Sequence, residues 1–358
     1  MDTMTSIPIT RTRQSRITEL DIDHLVFGAT PTDHMFMAAF RDGGWQNPQI
    51  VPFGDLTISP LALGLHYGQT VFEGLKAYRT AAGHIHLFRP HRHHARLNRS
   101  LGRMGMPAVP EALFIDALHR LVELDQDWVP AKPGTSLYLR PLVIATEPRL
   151  GVKISEEYLF IVVGMPMADY YTGKLKVKVE TRFSRAASGG TGAAKCGGNY
   201  GAAFYPAQQA KSGGFDQVLW TDATHHEFIE ESGTMNIFFV IDGILITPPL
   251  SDSILDGVTR DSLLTLARAG GIPVEERKIS YKALEKAFLS GKAIEAFGVG
   301  TAAMVSPIEV IDIMGKTYYP SVGPDALMYR LKNELQAIHT GTKKDSYYWN
   351  YIIQTVLQ

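Results

Sequence analysis

The spacing of apolar residues in the first half of the chain predicts a mixture of strands and helices. Gly74–Arg79 and His84–Phe88 have the length and content of two strands joined by a turn at Gly83. Glu111–Leu124 places its apolar residues on one face of a helix. The other elements predicted here are a helix, His91–Leu101, and two strands, Ser136–Thr146 and Tyr158–Met165.

The second half continues this mixed pattern. Leu175–Phe183 begins with alternating apolar and charged residues, which is typical of a half-buried strand. Asp242-Gly243 joins the apolar runs Met235–Val240 and Ile244–Thr247, a strong hairpin signal. Helices are predicted over Tyr200–Lys211, Thr259–Ala269 and Asp325–Ile338. The sequence therefore predicts an α/β (or α+β) fold.

The length of 358 residues favours about two domains. Small and polar residues after the strand near residue 165 indicate a linker. At the N-terminus, several arginines without an amphipathic stripe favour a disordered tail over a targeting peptide. The expected division is a tail at 1–20, a small N-terminal α/β domain at 21–165, a linker at 166–174 and a large C-terminal cofactor-binding domain at 175–358.

Composition narrows the class of protein. The 35 basic and 36 acidic residues give a formal net charge of −1, so no overall field attracts nucleic acid or an anionic membrane. No segment approaches the roughly 20 apolar residues of a membrane span. The single cysteine, Cys196, excludes an intramolecular disulfide and agrees with a reducing compartment, so we expect a cytoplasmic protein.

The glycine-rich stretch Gly189–Gly201, GGTGAAKCGGNYG, surrounds Lys195. It is not a nucleotide phosphate loop, because Ala194 and Cys196 stand where that loop requires Gly and Ser or Thr, and a dinucleotide fingerprint requires Gly at position 195. A lysine in such an uncharged setting can lose its proton and attack a carbonyl carbon. From this stretch alone, a solvated lysine on an exposed loop is an equally good interpretation.

Several short motifs occur in a characteristic order along the chain. The motifs in the second half are AAKCGGNY (193–200), EESGTMNIFF (230–239), LDGVTRDSLL (255–264) and GTAAMVSP (300–307). Those in the first half are FGATPTDHMF (27–36), LHYGQTVFEGLKAYR (65–79), LFRPHRHHARLNRS (87–100) and YLRPLVIATEPRLGV (138–152). Taken together, these motifs resemble the branched-chain aminotransferases, which are fold-type IV pyridoxal-phosphate enzymes. The resemblance covers about residues 27–338 and implies two mixed domains with the active site at their interface and pyridoxal 5'-phosphate as cofactor.

The resemblance implies a role for each cofactor-binding residue. Lys195 matches the lysine that forms the Schiff base with the cofactor and moves the substrate proton. Glu231 matches the carboxylate that keeps the pyridine nitrogen protonated, and Tyr200 matches the phenol at the cofactor O3′. Thr234 lies in the same group of motifs. The expected phosphate-binding residues are Arg96, Val258, Thr259 and Thr301.

The resemblance also implies a substrate pocket that accepts both an aliphatic amino acid and glutamate. Arg140 would bind the side-chain carboxylate of glutamate, and the amides of Thr301 and Ala302 would bind the α-carboxylate. A neighbouring subunit would supply Tyr67 and the loop Leu150-Gly151-Val152, so at least a homodimer is implied. The expected apolar wall consists of Phe27, Phe72, Tyr138, Tyr200 and Thr234.

The implied activity is the reversible transfer of an amino group between leucine, isoleucine or valine and 2-oxoglutarate, with ping-pong kinetics. Two fold-type IV alternatives stay open, a D-amino-acid aminotransferase and an aminodeoxychorismate lyase, as does a nucleotide-binding protein that uses the glycine-rich loop. Ala303 and Ser306 replace the redox-active cysteine pair of some eukaryotic members, so no thiol regulation is expected there. Two groups of histidines could suggest a metal site, but we interpret them as surface residues and predict no such site. These histidines are His91, His93, His94, His225 and His226.

Overall fold

A computed structural model describes residues 7–168 and 173–354. The strands are β1 His34–Arg41, β2 Gly44–Pro52, β3 Thr70–Phe72, β4 Leu75–Arg79, β5 Ile85–Phe88, β6 Ser136–Ala145, β7 Tyr158–Met167, β8 Leu175–Glu180, β9 Gln217–Thr221, β10 Ile229–Ser232, β11 Met235–Ile241, β12 Ile244–Thr247, β13 Val274–Glu276, β14 Ile294–Gly300, β15 Met304–Ile313, β16 Lys316–Tyr318 and β17 Asn350–Ile353. The helices are α1 Leu63–Tyr67, α2 Pro90–Arg103, α3 Glu111–Leu124, α4 Gly201–Ser212, α5 Val258–Ala269, α6 Tyr281–Leu289 and α7 Leu327–His339, with 3-10 turns at Ile17–Glu19, Gln126–Trp128 and Gly197–Tyr200.

The chain divides into two compact units. The first unit consists of Met1–Tyr170, Ala194–Gly197 and His339–Gln358, as far as these residues are described. The second unit consists of Tyr171–Ala193 and Gly198–Ile338, with the same restriction. Lys195 is therefore part of the first unit, whereas Ala193 and Gly198, which flank its four-residue segment, are part of the second.

The first unit is built on an antiparallel sheet with the order β17-β5-β4-β6-β7-β1-β2, and β3 pairs with β6. Strands β6 and β7 form its centre and are paired from Ser136↔Met167 to Ala145↔Tyr158. Alternate residues of β4 and β6 enter the core beneath α2 and α3. Helix α3 has the predicted bounds because Pro110 precedes it and its apolar stripe packs on this core.

The segment that follows the first six residues contacts the first unit. Ile9 pairs with Ile50 beside β2, and the amide of Thr10 donates to the Ile50 carbonyl at 2.9 Å. The Arg16 amide donates to Asp33 Oδ1 at 2.9 Å. These bonds order residues 7–20, in contrast to the disordered tail expected for 1–20. Residues 1–6 lie outside the described part of the chain.

The observed units also differ from the expected domain division at two places in the C-terminal half. Strand β17 pairs antiparallel with β5, from Asn350↔Phe88 to Ile353↔Ile85, and so joins the first unit. Cys196 forms an antiparallel bridge with Val71 in the middle of strand β3, and so also joins the first unit. The expected linker, 166–174, begins inside β7, and its residues 169–172 lie outside the described residues. Backbone pairing between residues far apart in the sequence assigns these segments to the first unit. Composition does not predict such pairing.

The second unit is built on a mixed sheet with the order β10-β9-β8-β15-β14-β11-β12-β13, and β16 pairs with β15. The predicted hairpin joins β11 and β12, where Asp242 and Gly243 have φ values of +50° and +83°. This left-handed backbone explains the preference for Asp-Gly at the turn. Strands β10 and β11 are also paired antiparallel, and Glu231 lies opposite Asn236. No described helix is long and apolar enough to cross a membrane.

Candidate active site

Both peptide groups of Lys195 are anchored in the first unit. Its amide donates to Ser100 Oγ on α2 at 2.9 Å, and its carbonyl accepts from the Phe72 amide at 3.0 Å. Ser100 in turn donates its hydroxyl to the Arg96 carbonyl at 3.0 Å. The lysine is therefore fixed at its main chain although its neighbours in sequence are mostly glycine and alanine.

The Lys195 side chain is half-buried and has the electrostatic character of a nucleophile. Nζ lies 4.7 Å from the centre of the Phe72 ring. Burial, followed by the positive charge of Arg96, lowers the pKa of Lys195 to about 8, while Tyr138 and Glu73 oppose the shift. At pH 7 about a tenth of the amine is therefore uncharged and able to attack a carbonyl carbon.

Arg96 lies in a buried ion pair that sequence reasoning missed. Its Nε and Nη2 donate to Glu73 Oε1 and Oε2, both at 2.7 Å. His93 Nδ1 lies 2.8 Å from the same carboxylate. Burial raises the pKa of Glu73, but the Arg96 charge and the hydrogen bonds from Arg96 and His93 outweigh burial and hold that pKa well below its usual range. The paired carboxylate fixes the orientation of the guanidinium.

The position of His93 corrects the surface interpretation of the histidines. His93 is buried, and burial lowers the pKa of its imidazole although Glu73 opposes the shift. His91 is exposed and lies 2.6 Å from Glu111 Oε1, and His225 is exposed beside Asp222. Helical spacing separates the two faces of α2, since His93 and Arg96 are three residues apart and lie on the inner face.

Aromatic rings surround a second cation in the first unit. The Arg140 guanidinium carbon lies 4.7 Å from the centre of the Phe72 ring and 5.4 Å from that of Tyr138. Phe27 packs edge-on against Tyr138 at 5.0 Å. Within the described part of the chain, the buried Nε of Arg140 has no hydrogen-bond partner. These aromatic rings therefore form an apolar wall beside the Arg140 guanidinium, whose unsatisfied Nε can bind a carboxylate.

In the second unit, Glu231 is buried at the end of β10 and three groups hold its carboxylate. Oε1 accepts from the Leu255 amide at 2.9 Å and from Asn236 Nδ2 at 3.3 Å. Oε2 lies 2.9 Å from Arg185 Nε. These contacts give the carboxylate a defined orientation.

The N-terminus of α5 lies next to Asn236 and Leu255, which both bind the Glu231 carboxylate. Asn236 Nδ2 also donates to the Leu255 carbonyl at 2.8 Å, and a side chain at Gly257 would meet Asn236 Oδ1 at 2.0 Å, so only glycine fits there. Gly257 provides no capping side chain to the helix that Val258 and Thr259 begin. Amides in the first turn of a helix have no acceptor within the helix and point toward anions.

The remaining predicted residues of the second unit lie in turns. Tyr200 is half-buried at the end of the turn Gly197–Tyr200, which Asn199 stabilises through two bonds to Thr191. Thr234 is exposed between β10 and β11. Thr301 and Ala302 are half-buried between β14 and β15.

Tyr67 and the 150–152 loop, expected to act on a neighbouring subunit, are exposed on the first unit. The Gly151 amide donates to the Tyr67 hydroxyl at 3.2 Å, so the two segments are joined. Val152 is 90% exposed and Leu150 is 55% exposed. With Leu61 and Leu65, which are also exposed, they place several large apolar side chains in contact with solvent.

Sequence reasoning missed five residues that hold the predicted ones in place. Glu73 stands inside the motif FEGLKAYR, and a charged residue in such an apolar run was an available signal. Ser100 and Asn236 also lie in quoted motifs, but a serine or asparagine has many uses and no pattern predicts its partner. The residues missed are Glu73, His93, Ser100, Arg185 and Asn236.

Residues 70–311 match the family model for class IV aminotransferases. This range contains most of the residues discussed above and more than half of the chain. The chain therefore belongs to the class IV aminotransferases.

Curated relatives define the group within this class. The chain is 47% identical to branched-chain-amino-acid transaminase 1 of Bacillus subtilis, over 92% of this chain and 94% of the relative. It is 44% identical to the branched-chain-amino-acid aminotransferase of Mycolicibacterium smegmatis, with 90% of each chain covered. The chain belongs to the branched-chain-amino-acid aminotransferase family.

Solved structures have the same fold. The branched-chain amino acid aminotransferase of Escherichia coli has a TM-score of 0.73 at 26% identity and covers 90% of this chain and 99% of its own. The T.th. branched-chain amino acid aminotransferase has a TM-score of 0.70 at 27% identity and covers 88% of this chain and 98% of its own. The architecture is therefore the fold-type IV architecture expected from the motifs.

Proposed function

We propose that this chain transfers the amino group of leucine, isoleucine or valine to 2-oxoglutarate, reversibly, with pyridoxal 5'-phosphate bound through Lys195. The observation that carries the proposal is the half-buried amine of Lys195, whose pKa is lowered to about 8, in a member of this family. The similar T.th. enzyme was crystallised with N-(5'-phosphopyridoxyl)-L-glutamate, a compound that joins such a cofactor to an amino acid.

The residues present fit this cofactor. The Lys195 amine can condense with its aldehyde, and Arg96 and the first amides of α5 offer donors for a phosphate. Glu231 offers a fixed carboxylate for the pyridine nitrogen, and Tyr200, Thr234 and Thr301 provide further hydroxyl groups. When bound, the cofactor supplies an electron-accepting ring that stabilises negative charge at the substrate α-carbon.

Lys195 would then act as the base of the reaction. Once free, Nζ of Lys195 would take the proton from the substrate α-carbon and pass it to the cofactor C4′, and the second half-reaction would run this transfer in reverse. A pKa of about 8 is close to working pH, so Nζ can both accept and donate a proton. Two successive half-reactions through one lysine predict ping-pong kinetics.

The aromatic group around Arg140 would select substrates. Phe27, Phe72 and Tyr138 offer an apolar surface to an aliphatic side chain. The Arg140 guanidinium would bind the distal carboxylate of glutamate, and its buried unsatisfied Nε supports this role. The amides of Thr301 and Ala302 would bind the α-carboxylate that all substrates share.

Replacing Arg140 by alanine should therefore impair glutamate more than leucine. Loss of a hydrogen bond to a charged group costs about 1.5–3 kcal/mol, so kcat/KM for glutamate should fall roughly 10- to 100-fold. Leucine makes no such bond and should lose less than about threefold. Single-turnover measurements with each amino acid separate the two half-reactions in one variant, and equal losses for both would contradict the assigned role.

We further propose a homodimer that acts in the cytoplasm. The exposed apolar side chains of Leu61, Leu65, Tyr67, Leu150 and Val152 support burial against a second copy, since monomers rarely expose large apolar patches. The unpaired Cys196 agrees with a reducing compartment. Light scattering should give at least twice the chain mass of 39.5 kDa, and a monomer at micromolar concentration would contradict the proposal.

One experiment tests the function as a whole. The purified protein should absorb near-visible light from its cofactor, and borohydride should change this absorption and link the cofactor to one peptide. Peptide mapping should locate the link at Lys195. Turnover of L-leucine with 2-oxoglutarate should exceed that of D-alanine, and activity only on the D-enantiomer would indicate a D-amino-acid aminotransferase instead.

A further inference from the structure

Ser100 connects the reactive lysine to the helix that carries Arg96. It lies one turn after Arg96 on α2 and is only 1% exposed. Its Oγ accepts from the Lys195 amide at 2.9 Å and donates to the Arg96 carbonyl at 3.0 Å. A hydroxyl has one hydrogen and two lone pairs, so both bonds form at the same time.

We propose that Ser100 is a positioning residue for the reaction, because it fixes the main chain of Lys195 and thereby the reach of its amine. The proposal rests on the proposed function of Lys195. Glycines and small residues surround this lysine, and glycine restricts the backbone less than any other residue. Its position must therefore come from bonds to other segments rather than from its own neighbours.

Two main-chain hydrogen bonds hold Lys195, one on each side of its Cα. The Phe72 amide holds the carbonyl, and Ser100 holds the amide nitrogen. The ring of Phe72 also lies 4.7 Å from Nζ. Without the hydroxyl, the amide has to turn toward another acceptor, which moves the amine relative to this ring. A displacement of about 1 Å at a reacting group can cost about 100-fold in rate.

Ser100 also sets the electrostatic surroundings of the amine. Glu73 holds the guanidinium of Arg96, and Ser100 bonds to the main chain of the same residue. The Arg96 charge is the second largest cause, after burial, of the lowered Lys195 pKa. If the lysine segment separates from α2, both causes weaken and the pKa of Lys195 rises toward its ordinary value.

The test compares Ser100→Ala with Ser100→Thr, which retains the hydroxyl, and with Ser155→Ala as a matched control. Ser155 is a buried serine of the same unit, whose Oγ donates to the Glu157 carbonyl at 2.7 Å and accepts from its amide at 3.2 Å. On apoprotein, the rate at which trinitrobenzenesulfonate modifies Lys195 is followed against pH by peptide mapping. On the cofactor-loaded enzyme, kcat and KM for leucine are measured.

For Ser100→Ala, we expect the labelling midpoint of Lys195 to rise by about one pH unit and kcat to fall roughly 10- to 100-fold with KM within about threefold. Ser100→Thr should restore most of the rate. Ser155→Ala should leave both readouts unchanged even if it lowers Tm equally. If Ser100→Ala does not fold, Ser100→Cys replaces it, since a thiol is a weak acceptor of similar size.

An unchanged labelling midpoint and an unchanged kcat in the Ser100 variant, with only Tm lowered, would overturn the proposal. So would equal losses in the Ser155 control. The labelling experiment uses apoprotein and does not depend on the reaction catalysed. Failure of wild-type protein to form the borohydride-stable link at Lys195 would instead refute the proposed function, and the two failures are therefore distinguishable.

Discussion

Replacing Lys195 by alanine should reduce kcat with leucine by at least about 10⁴-fold, because under the proposed mechanism the change removes both the amine that binds the cofactor and the base that moves the α-proton. The side chain makes no ion pair among the described residues that folding requires, so the variant should remain folded. It should still bind pyridoxal phosphate noncovalently through the phosphate and pyridine contacts. Steady-state assays and an absorption spectrum after borohydride treatment measure both effects.

Two controls sharpen this experiment. Lys211→Ala removes an exposed lysine of α4 and should leave kcat unchanged. Lys195→Arg retains a positive charge but offers no amine that can lose its proton near neutral pH, and it should be as inactive as the alanine variant. Substantial activity in either Lys195 variant would contradict its role as nucleophile and base.

Replacing Glu231 by glutamine should lower kcat by about 100-fold, which corresponds to about 2.7 kcal/mol of lost transition-state stabilisation. The neutral amide no longer favours a protonated pyridine nitrogen, so the ring accepts electrons less well. The loss of charge also leaves Arg185 without its partner at 2.9 Å, and Tm should fall. Single-turnover kinetics report the first effect, and thermal unfolding of the apoprotein reports the second.

The adjacent residue provides the matched control. Glu230 precedes Glu231 in β10, and consecutive strand residues point to opposite faces of a sheet. Its carboxylate accepts a hydrogen bond from Ser253 Oγ, and burial raises the pKa of Glu230. Glu230→Gln should therefore change kcat by less than about threefold. A similar loss in both variants would show that disruption of β10, rather than the charge at 231, causes the effect.

The ion pair of Glu73 and Arg96 has a consequence for anion binding. Two short hydrogen bonds and complete burial make this carboxylate the partner of the arginine expected to bind phosphate. The pair contributes little net charge, since one anion faces one guanidinium and the His93 pKa is lowered by burial. Phosphate binding by Arg96 would therefore depend on the direction of its donors more than on net attraction, which suits the planar fork of arginine.

Local patterns predicted the elements that had a clear apolar stripe or a turn signal beside them. Helix α3 and strand β12 have the predicted bounds, and α2 differs only by starting at Pro90 and ending at Arg103. The elements that were not predicted are strands β1, β2, β3, β9, β10, β13, β14, β15, β16 and β17 and helices α1 and α6. Short apolar runs fit a strand or a buried helix equally well, and only pairing with neighbouring strands, such as that of β17 with β5, decides between them.

The sequence by itself determined the fold class and the family, because motif order is a property of the chain, and its residue chemistry led to Lys195 as the proposed reactive lysine. Tertiary structure decided that Glu73 pairs with Arg96, that His93 is buried and that Lys195 is anchored to Ser100, 95 positions earlier. Hydrophobic periodicity records which face of an element is buried but not which residue lies opposite. The partner of a buried charge or a main-chain amide is set by long-range packing, and therefore only the folded chain reveals it.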